Sequence, residues 1–225
     1  LRIVVTSDTH SLHSLHGQAS LPSGDVLVHA GDMTRMGTLD ELREFNRWAG
    51  TLDFRGIFVI AGNHDFCFER EHDAALRIVK NFRYLQDQAF EFEGVKFYGT
   101  PWQPLFFNWA FNLRRGKALR EKWDLIPDDT DVVIVHGPPH GHRDLTSGGD
   151  RSGCQELAAA LERIQPTLCL FGHIHESYGV STLGKTTCVN ASIVDRSYKV
   201  ANEPVVIDLV KGATGWEANF VNEVR

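Results

Sequence analysis

Five short polar motifs, each set directly behind an apolar run, constrain this chain more than any other feature: Asp8-Thr9-His10, Gly31-Asp32, Gly62-Asn63-His64-Asp65, His136-Gly137 and Gly172-His173-Ile174-His175. The runs before them, Arg2 to Thr6, Val26 to Ala30, Ile57 to Ala61, Asp131 to Val135 and Thr167 to Phe171, are rich in β-branched residues and too short for ordinary helices. They read as buried strands. In α/β sheets ligands bind beyond the carboxyl ends of the strands, so the polar groups are expected to converge on one edge. Asp8 and His10 stand two residues apart, as do His173 and His175, which turns alternate side chains of extended backbone to the same side.

Helical stretches separate the strands. Thr38 and Glu41 make a capping box ahead of a helix from Leu39 to Ala49, with Leu42, Phe45 and Ala49 on its apolar face. Further helices are predicted over Asp73 to Lys80 and over Cys154 to Ile164, the latter stopped by Pro166. Ala89 to Phe92 and Val95 to Gly99 flank Glu93-Gly94 as a hairpin should. The segment 101–111 is aromatic, irregular and held extended by Pro101 and Pro104. Strand-like runs return at Tyr178 to Thr182, Thr186 to Val189, Pro204 to Leu209 and Trp216 to Val221. This order predicts an α/β fold of two sheets with helices outside them. No repeat or low-complexity linker divides the chain, so 1–225 is read as a single domain.

With 225 residues, 42% of them hydrophobic, the chain can close a core without disulfides. Cys67, Cys154, Cys169 and Cys188 are too widely spaced for a Cys-x-x-Cys site and read as small core residues. A formal charge of −6 argues against a broad nucleic-acid surface. No apolar run approaches a membrane span, and Leu1-Arg2-Ile3-Val4-Val5 enters a strand in place of a signal peptide, so the expected location is the cytoplasm. The first residue is not Met, which leaves room for an upstream segment.

Imidazole and carboxylate together suit Mn²⁺, Fe or Zn²⁺, whereas an all-carboxylate set would suit Mg²⁺ or Ca²⁺. Two such ions need a bridging carboxylate and a water that ionises near neutral pH. Asp32 is the expected bridge. A single Asp or His behind a strand is usually a cap or turn former, and His13, His16, His29 and His72, outside the motifs, are read as surface or packing residues. Only the combination of motifs carries weight.

Asp8-x-His10, Gly31-Asp32-x-x-x-x-Gly37, Gly62-Asn63-His64-Asp65, His136-Gly137 and Gly172-His173-x-His175 together resemble the signature of the calcineurin-like metallophosphoesterase superfamily. Ser7-Asp8-Thr9-His10, Tyr98-Gly99-Thr100-Pro101-Trp102 and His136-Gly137-Pro138-Pro139 are further similar to its brain-type metallophosphoesterase-domain group, itself similar to class III cyclic-nucleotide phosphodiesterases. One branch of that group lacks the last histidine of Gly-His-x-His; here it is present as His175. The resemblance implies a four-layer α/β/β/α sandwich of two mixed sheets with metals at the strand ends. It implies that Asp8, His10, Asp32 and His175 hold one ion and Asp32, Asn63, His136 and His173 the other. His64 would serve the leaving oxygen, with a reference pKa near 6.5 suited to acid–base work. Asp65 is expected to orient the His64 imidazole.

The expected substrate is a small phosphodiester, with nucleotide-like compounds such as cyclic nucleotides ahead. Trp102, Phe106, Phe107 and Trp109 read either as a base-stacking wall or as core anchors. Arg143 reads either as a phosphate contact or as a solvated loop charge. The competing functions are a phosphomonoesterase, a nuclease and a non-catalytic scaffold. The phosphatase-like Asp-Arg-Gly segment is absent, residues 33–37 being Met-Thr-Arg-Met-Gly, and all seven expected ligands are in place, as a scaffold would not require.

Overall fold

The computed structural model describes residues 1–14, 21–213 and 215–224. Chain order builds one sheet and then the other. The first segment runs β1 (Arg2–Thr6), β2 (Val26–Ala30), α1 (Leu39–Ala49), β3 (Gly56–Ile60), α2 (Phe66–Arg70), α3 (His72–Ile78) and β4 (Arg83–Tyr84). The second runs β5 (Gln88–Phe92), β6 (Val95–Thr100), β7 (Gln103–Pro104), β8 (Asn112–Leu113), α4 (Lys117–Trp123), β9 (Val132–Val135), α5 (Gln155–Ile164), β10 (Leu168–Phe171), β11 (Gly179–Leu183) and β12 (Thr186–Asn190). Then β13 (Val205–Lys211) and β14 (Trp216–Phe220) return to the first sheet.

The sheet orders are β14-β13-β1-β2-β3-β4 and β11-β12-β10-β9-β6-β5. Each is mixed, with parallel strands β1 to β4 in one and β12, β10, β9 and β6 in the other, completed by antiparallel strands. The inner strands are apolar on both sides because both sides are covered. Ile3 and Val5 of β1 face the core between the sheets, with Val28, Phe97, Ile134 and Leu170, while Val4 meets the helix layer of Leu42, Phe45 and Phe68. The second sheet's outer face packs Val133 and Phe171 on Leu119, Trp123 and Leu161 of α4 and α5. These are four layers, α/β/β/α, and the continuous apolar runs of the sequence are their signature. Burying each such Val, Ile or Phe side chain contributes roughly 1.5–3 kcal/mol.

Helix α1 has the predicted bounds, and the capping box is formed: Glu41 N–H donates to Thr38 Oγ1 at 3.2 Å and Thr38 N–H to Glu41 Oε2 at 3.0 Å. The Glu93-Gly94 hairpin also forms, with φ of +52° and +78° at the two turn residues. Helix α3 ends two residues before Lys80, where Val79 goes extended and Asn46 Oδ1 accepts the Lys80 N–H at 2.9 Å. Helices α2 and α4 and the short β7–β8 ladder are absent from the sequence reading. Helix α2 is one and a half turns started from within the Asn63-His64-Asp65 motif, too short for periodicity to register. Helix α5 leaves through Gln165 in the left-handed region (φ +54°), one residue before Pro166. All four cysteines are buried and unpaired. His29 is a packing residue, its ring edge-on to Phe45; His72 gives its Nδ1 proton to Phe68 O at 3.0 Å, and His16 lies outside the described residues.

Candidate metal centre

The five motifs do meet. Strands β1, β2, β3, β9 and β10 end on one edge, and the residues after them turn inward through left-handed backbone at Asp8 (φ +56°), Asp32 (+56°) and His173 (+69°), with His10 at +42°. For non-glycine residues that conformation costs about 1–2 kcal/mol each, tolerated here because glycine would supply no ligand atom. Gly31, Gly62 and Gly172 sit where a side chain has no room. A Cβ on Gly172 would lie 2.0 Å from Asp8 Oδ2, and one on Gly62 would lie 2.3 Å from Asp32 Oδ1.

His175 Nε2 stands 3.4 Å from Asp8 Oδ1 and 3.3 Å from His10 Nε2. His10 Nε2 is 3.8 Å from Asp32 Oδ2, and His136 Nε2 is 3.3 Å from that same oxygen and 3.0 Å from Asn63 Oδ1. Asp32 therefore stands between the two groups. Among the described residues three clusters have ligand atoms within 4.8 Å of one another: Asp8, His10 and His175; Asp8, Asp32 and His136; His10, Asp32 and His64. His173 joins none of them. Its ring packs against His136 at 5.0 Å between centroids, and its N–H donates to Asp8 Oδ2 at 3.0 Å.

Hydrogen bonds on the far sides of the rings fix what faces inward. Backbone carbonyls lie beside His136 Nδ1 (Ala30 O, 2.9 Å) and His175 Nδ1 (Asp195 O, 3.1 Å), so each Nδ1 donates and each Nε2 is left with its lone pair directed at the site. For neutral His136 that lone pair meets two acceptor oxygens, from Asp32 and Asn63, which is favourable only with a cation between them. The donor set fits metal ions. In the metal-free protein a proton substitutes: burial opposes the charged ring of His136, but the Asp32 carboxylate prevails and raises its pKa to about 9. Burial alone dominates at His10, lowered to about 4, and at His173, lowered to about 3. Asp32 is desolvated, yet His136 holds it well below the usual carboxylate range.

His64 donates its Nδ1 proton to Arg35 O at 2.8 Å, and its N–H donates to Asp32 Oδ1 at 2.7 Å. Its ring lies under Trp109, with centroids 4.3 Å apart. Asp65 does not orient this imidazole, contrary to expectation. Its buried carboxylate accepts from Gly62 N–H at 2.8 Å, Thr34 N–H at 2.9 Å and Thr34 Oγ1 at 2.6 Å, tying two motif loops together. Burial and the nearby Asp32 push Asp65 up to about 6. The loop that orients His64 is pinned instead by the capping box, since Glu41 Oε1 accepts from Arg35 N–H at 3.0 Å.

The readings of Arg143 and Trp102 as substrate contacts need correction. Arg143 donates from Nε to Val180 O of strand β11 at 2.8 Å and from Nη1 to Tyr178 O just before that strand, so it braces a loop. Trp102 donates Nε1 to Asp87 at 2.9 Å, lies under Lys122 Nζ at 4.3 Å and packs on Phe111, which makes it a core anchor. The sequence reading missed Tyr198. Its ring stands edge-on to His10 at 4.8 Å and to His175 at 5.5 Å, on a turn whose Asp195 carbonyl also orients His175. Strand β12 ends on the same edge as the five motifs, which was the available signal, but the polar residue at its end, Asn190, is bonded to Ile174 O and Tyr198 lies further along the turn.

Beyond the histidines opens a cleft of about 490 Å³, lined by His173 and His175, by the apolar Leu105, Phe106 and Ile174, and by arginines. Phe106 is half exposed on its wall. Residues 1–177 match the calcineurin-like phosphoesterase family. The chain belongs to that family. It is 43% identical to metallophosphoesterase domain-containing protein 1 of Homo sapiens, over 92% of this chain and 71% of that protein, and equally so to the Mus musculus protein. Among solved structures, TT1561 of Thermus thermophilus superposes with a TM-score of 0.55 at 15% identity, covering 84% of this chain and 88% of that one, and so shares the fold. The yellow lupin purple acid phosphatase PPD1 does likewise, with a TM-score of 0.53 at 10% identity over 92% of this chain and 48% of its own. The calcineurin-like family is dimetal-dependent and hydrolyses phosphoesters, and the clusters at Asp8, Asp32 and His136 are candidate ligand groups for it. Among the described residues no helix is long and apolar enough to cross a membrane.

Proposed function

We propose that this chain is a phosphodiesterase acting on small organic diesters, cyclic nucleotides among them, with two divalent transition metals, Mn²⁺ foremost. Asp8, His10, Asp32 and His175 would hold one ion and Asp32, Asn63, His136 and His173 the other. Bound there, the pair supplies Lewis acidity and activates the water nucleophile. The chain's own groups do the rest. His64, with Nδ1–H held by Arg35 O, keeps Nε2 available to carry a proton to the leaving oxygen. Trp109 and Tyr198 wall the histidines and restrict water around them.

One observation carries the diester reading: the apolar shelf of Leu105, Phe106 and Ile174 lies in the same cleft as His173 and His175. A diester presents an ester oxygen where a monoester presents a second ionised one, so an apolar wall beside the histidines favours the diester. The functional unit is read as 1–225, because β13, beyond the family match, pairs with β1 and β14 with β13, extending the first sheet. The four unpaired cysteines favour a reducing, cytoplasmic setting.

The test is a comparison of kcat/KM for bis(p-nitrophenyl) phosphate, 2′,3′- and 3′,5′-cyclic nucleotides and p-nitrophenyl phosphate under Mn²⁺, Fe²⁺ and Zn²⁺. Higher values for the diesters under Mn²⁺ are expected. A monoester preference under every metal would overturn the diesterase assignment and favour a phosphomonoesterase.

A further inference from the structure

The chain carries a formal charge of −6, yet the cleft beside the histidines is lined by Arg115, Arg151 and Arg196, with Glu176 the one carboxylate among its described lining residues. None of the three arginines belongs to the five motifs; they come from three separate loops that line the same cleft. Local charge opposite in sign to the whole molecule is what an anion-binding subsite requires.

Two of them are set in place by buried structure. Asp144 is completely buried, and its carboxylate accepts from Gly141 N–H at 2.8 Å, Gly153 N–H at 3.3 Å and Arg151 Nη1 at 2.6 Å. The Leu145–Arg151 bridge closes the same loop. Arg115 gives Nη1 to Gly153 O at 2.8 Å and Nη2 to Ser152 O at 2.9 Å, which docks it against that loop. A guanidinium has five N–H donors, so each side chain keeps donors for a ligand after these bonds are made. Arg196 is exposed, with Glu176 3.8 Å away. Holding the guanidinium groups in advance removes much of the entropic cost of closing them on an anion.

We propose that Arg115, Arg151 and Arg196 form a subsite for a second phosphate group on the substrate, apart from the phosphoester that meets the histidines. The preferred substrates are then organic phosphodiesters that bear an additional phosphate, with the connecting organic part on Leu105 and Phe106. This rests on the phosphodiesterase reading of the neighbouring site.

The test is calorimetric titration of the Mn²⁺-loaded protein with adenosine 5′-monophosphate and adenosine 3′,5′-bisphosphate as probes. The bisphosphate should bind about tenfold tighter or better, the increment of one or two charge-assisted hydrogen bonds. Arg151→Ala and, separately, Arg196→Ala should each pull that ratio towards unity, and Arg151→Lys should restore part of it. If Arg151→Ala melts early because Asp144 is left buried without its partner, Arg196→Ala and Arg151→Lys decide. Equal affinities in the unmodified protein, no binding of the bisphosphate, or variants that weaken both probes alike would each overturn the proposal; the last would mean that the arginines grip the phosphate at the metals. Hydrolysis of bis(p-nitrophenyl) phosphate by the same samples reports on the diesterase reading independently of the ratio.

Discussion

His136 Nε2 lies 3.3 Å from Asp32 Oδ2, and this contact between two candidate metal ligands holds a proton in the metal-free protein. With the His136 pKa raised to about 9 from 6.5, the ring is charged at neutral pH, so metal uptake must expel that proton. Metal affinity is therefore expected to fall as pH is lowered below about 9. The stability of the metal-free fold should run the other way: the His136 contribution is full below pH 6.5 and is lost as pH rises through about 9. Melting curves at several pH values with and without a chelator check both signs, and a metal-free Tm that climbs from pH 7 to 9 would contradict the assignment.

Asp32 stands between the two ligand groups, within 3.8 Å of His10 and 3.3 Å of His136. Asp32→Ala should weaken both metal positions together. Elemental analysis of the purified variant that still found two ions per chain would remove Asp32 from the bridging role.

His64 belongs to one of the three possible ligand clusters, so its part as proton carrier needs its own test. In His64→Gln turnover is expected to drop roughly 10²–10⁴-fold, the usual worth of an acid–base group, while metal content stays near that of the unmodified protein. Lost metal would make it a ligand.

Trp109 covers His64 at 4.3 Å, whereas Trp102 is bonded to Asp87 and packed on Phe111. Trp109→Ala should lower kcat/KM for cyclic nucleotides more than for bis(p-nitrophenyl) phosphate. Trp102→Ala should instead destabilise the fold, by roughly 3 kcal/mol on the scale of large-to-small core changes, and leave the substrate ratio alone. Denaturant melts and kinetics on both variants separate the two effects.

Gly172 has no space for a methyl group, because its Cβ would fall 2.0 Å from Asp8 Oδ2 and 2.2 Å from Ser7 Oγ. Gly172→Ala should displace Asp8 and reduce bound metal by about one ion per chain, the loss that follows when one ligand of a site is moved. Two ions bound at the usual affinity would show that the β10 turn can give way.

Residue order alone determined the strands that end in ligand residues, since a strand covered on both faces must be apolar throughout and its end is then marked by the first polar group. It determined α1 as well, because Thr38 and Glu41 satisfy each other's backbone within three residues of chain. The seven candidate ligand residues behind strand ends are local facts too. What only the tertiary structure decided is where long side chains spend their hydrogen bonds. Arg143 is spent on carbonyls of residues 178 and 180, Trp102 on Asp87, and Asp65 on residues 33, 34 and 62, partners brought near by packing and invisible to spacing. The same holds for Tyr198 over His10 and for the arginines along the cleft. A motif fixes which atom can bind a metal, but the direction of a guanidinium or an indole is set by whichever acceptor the fold places within about 3 Å, and those acceptors come from distant parts of the chain.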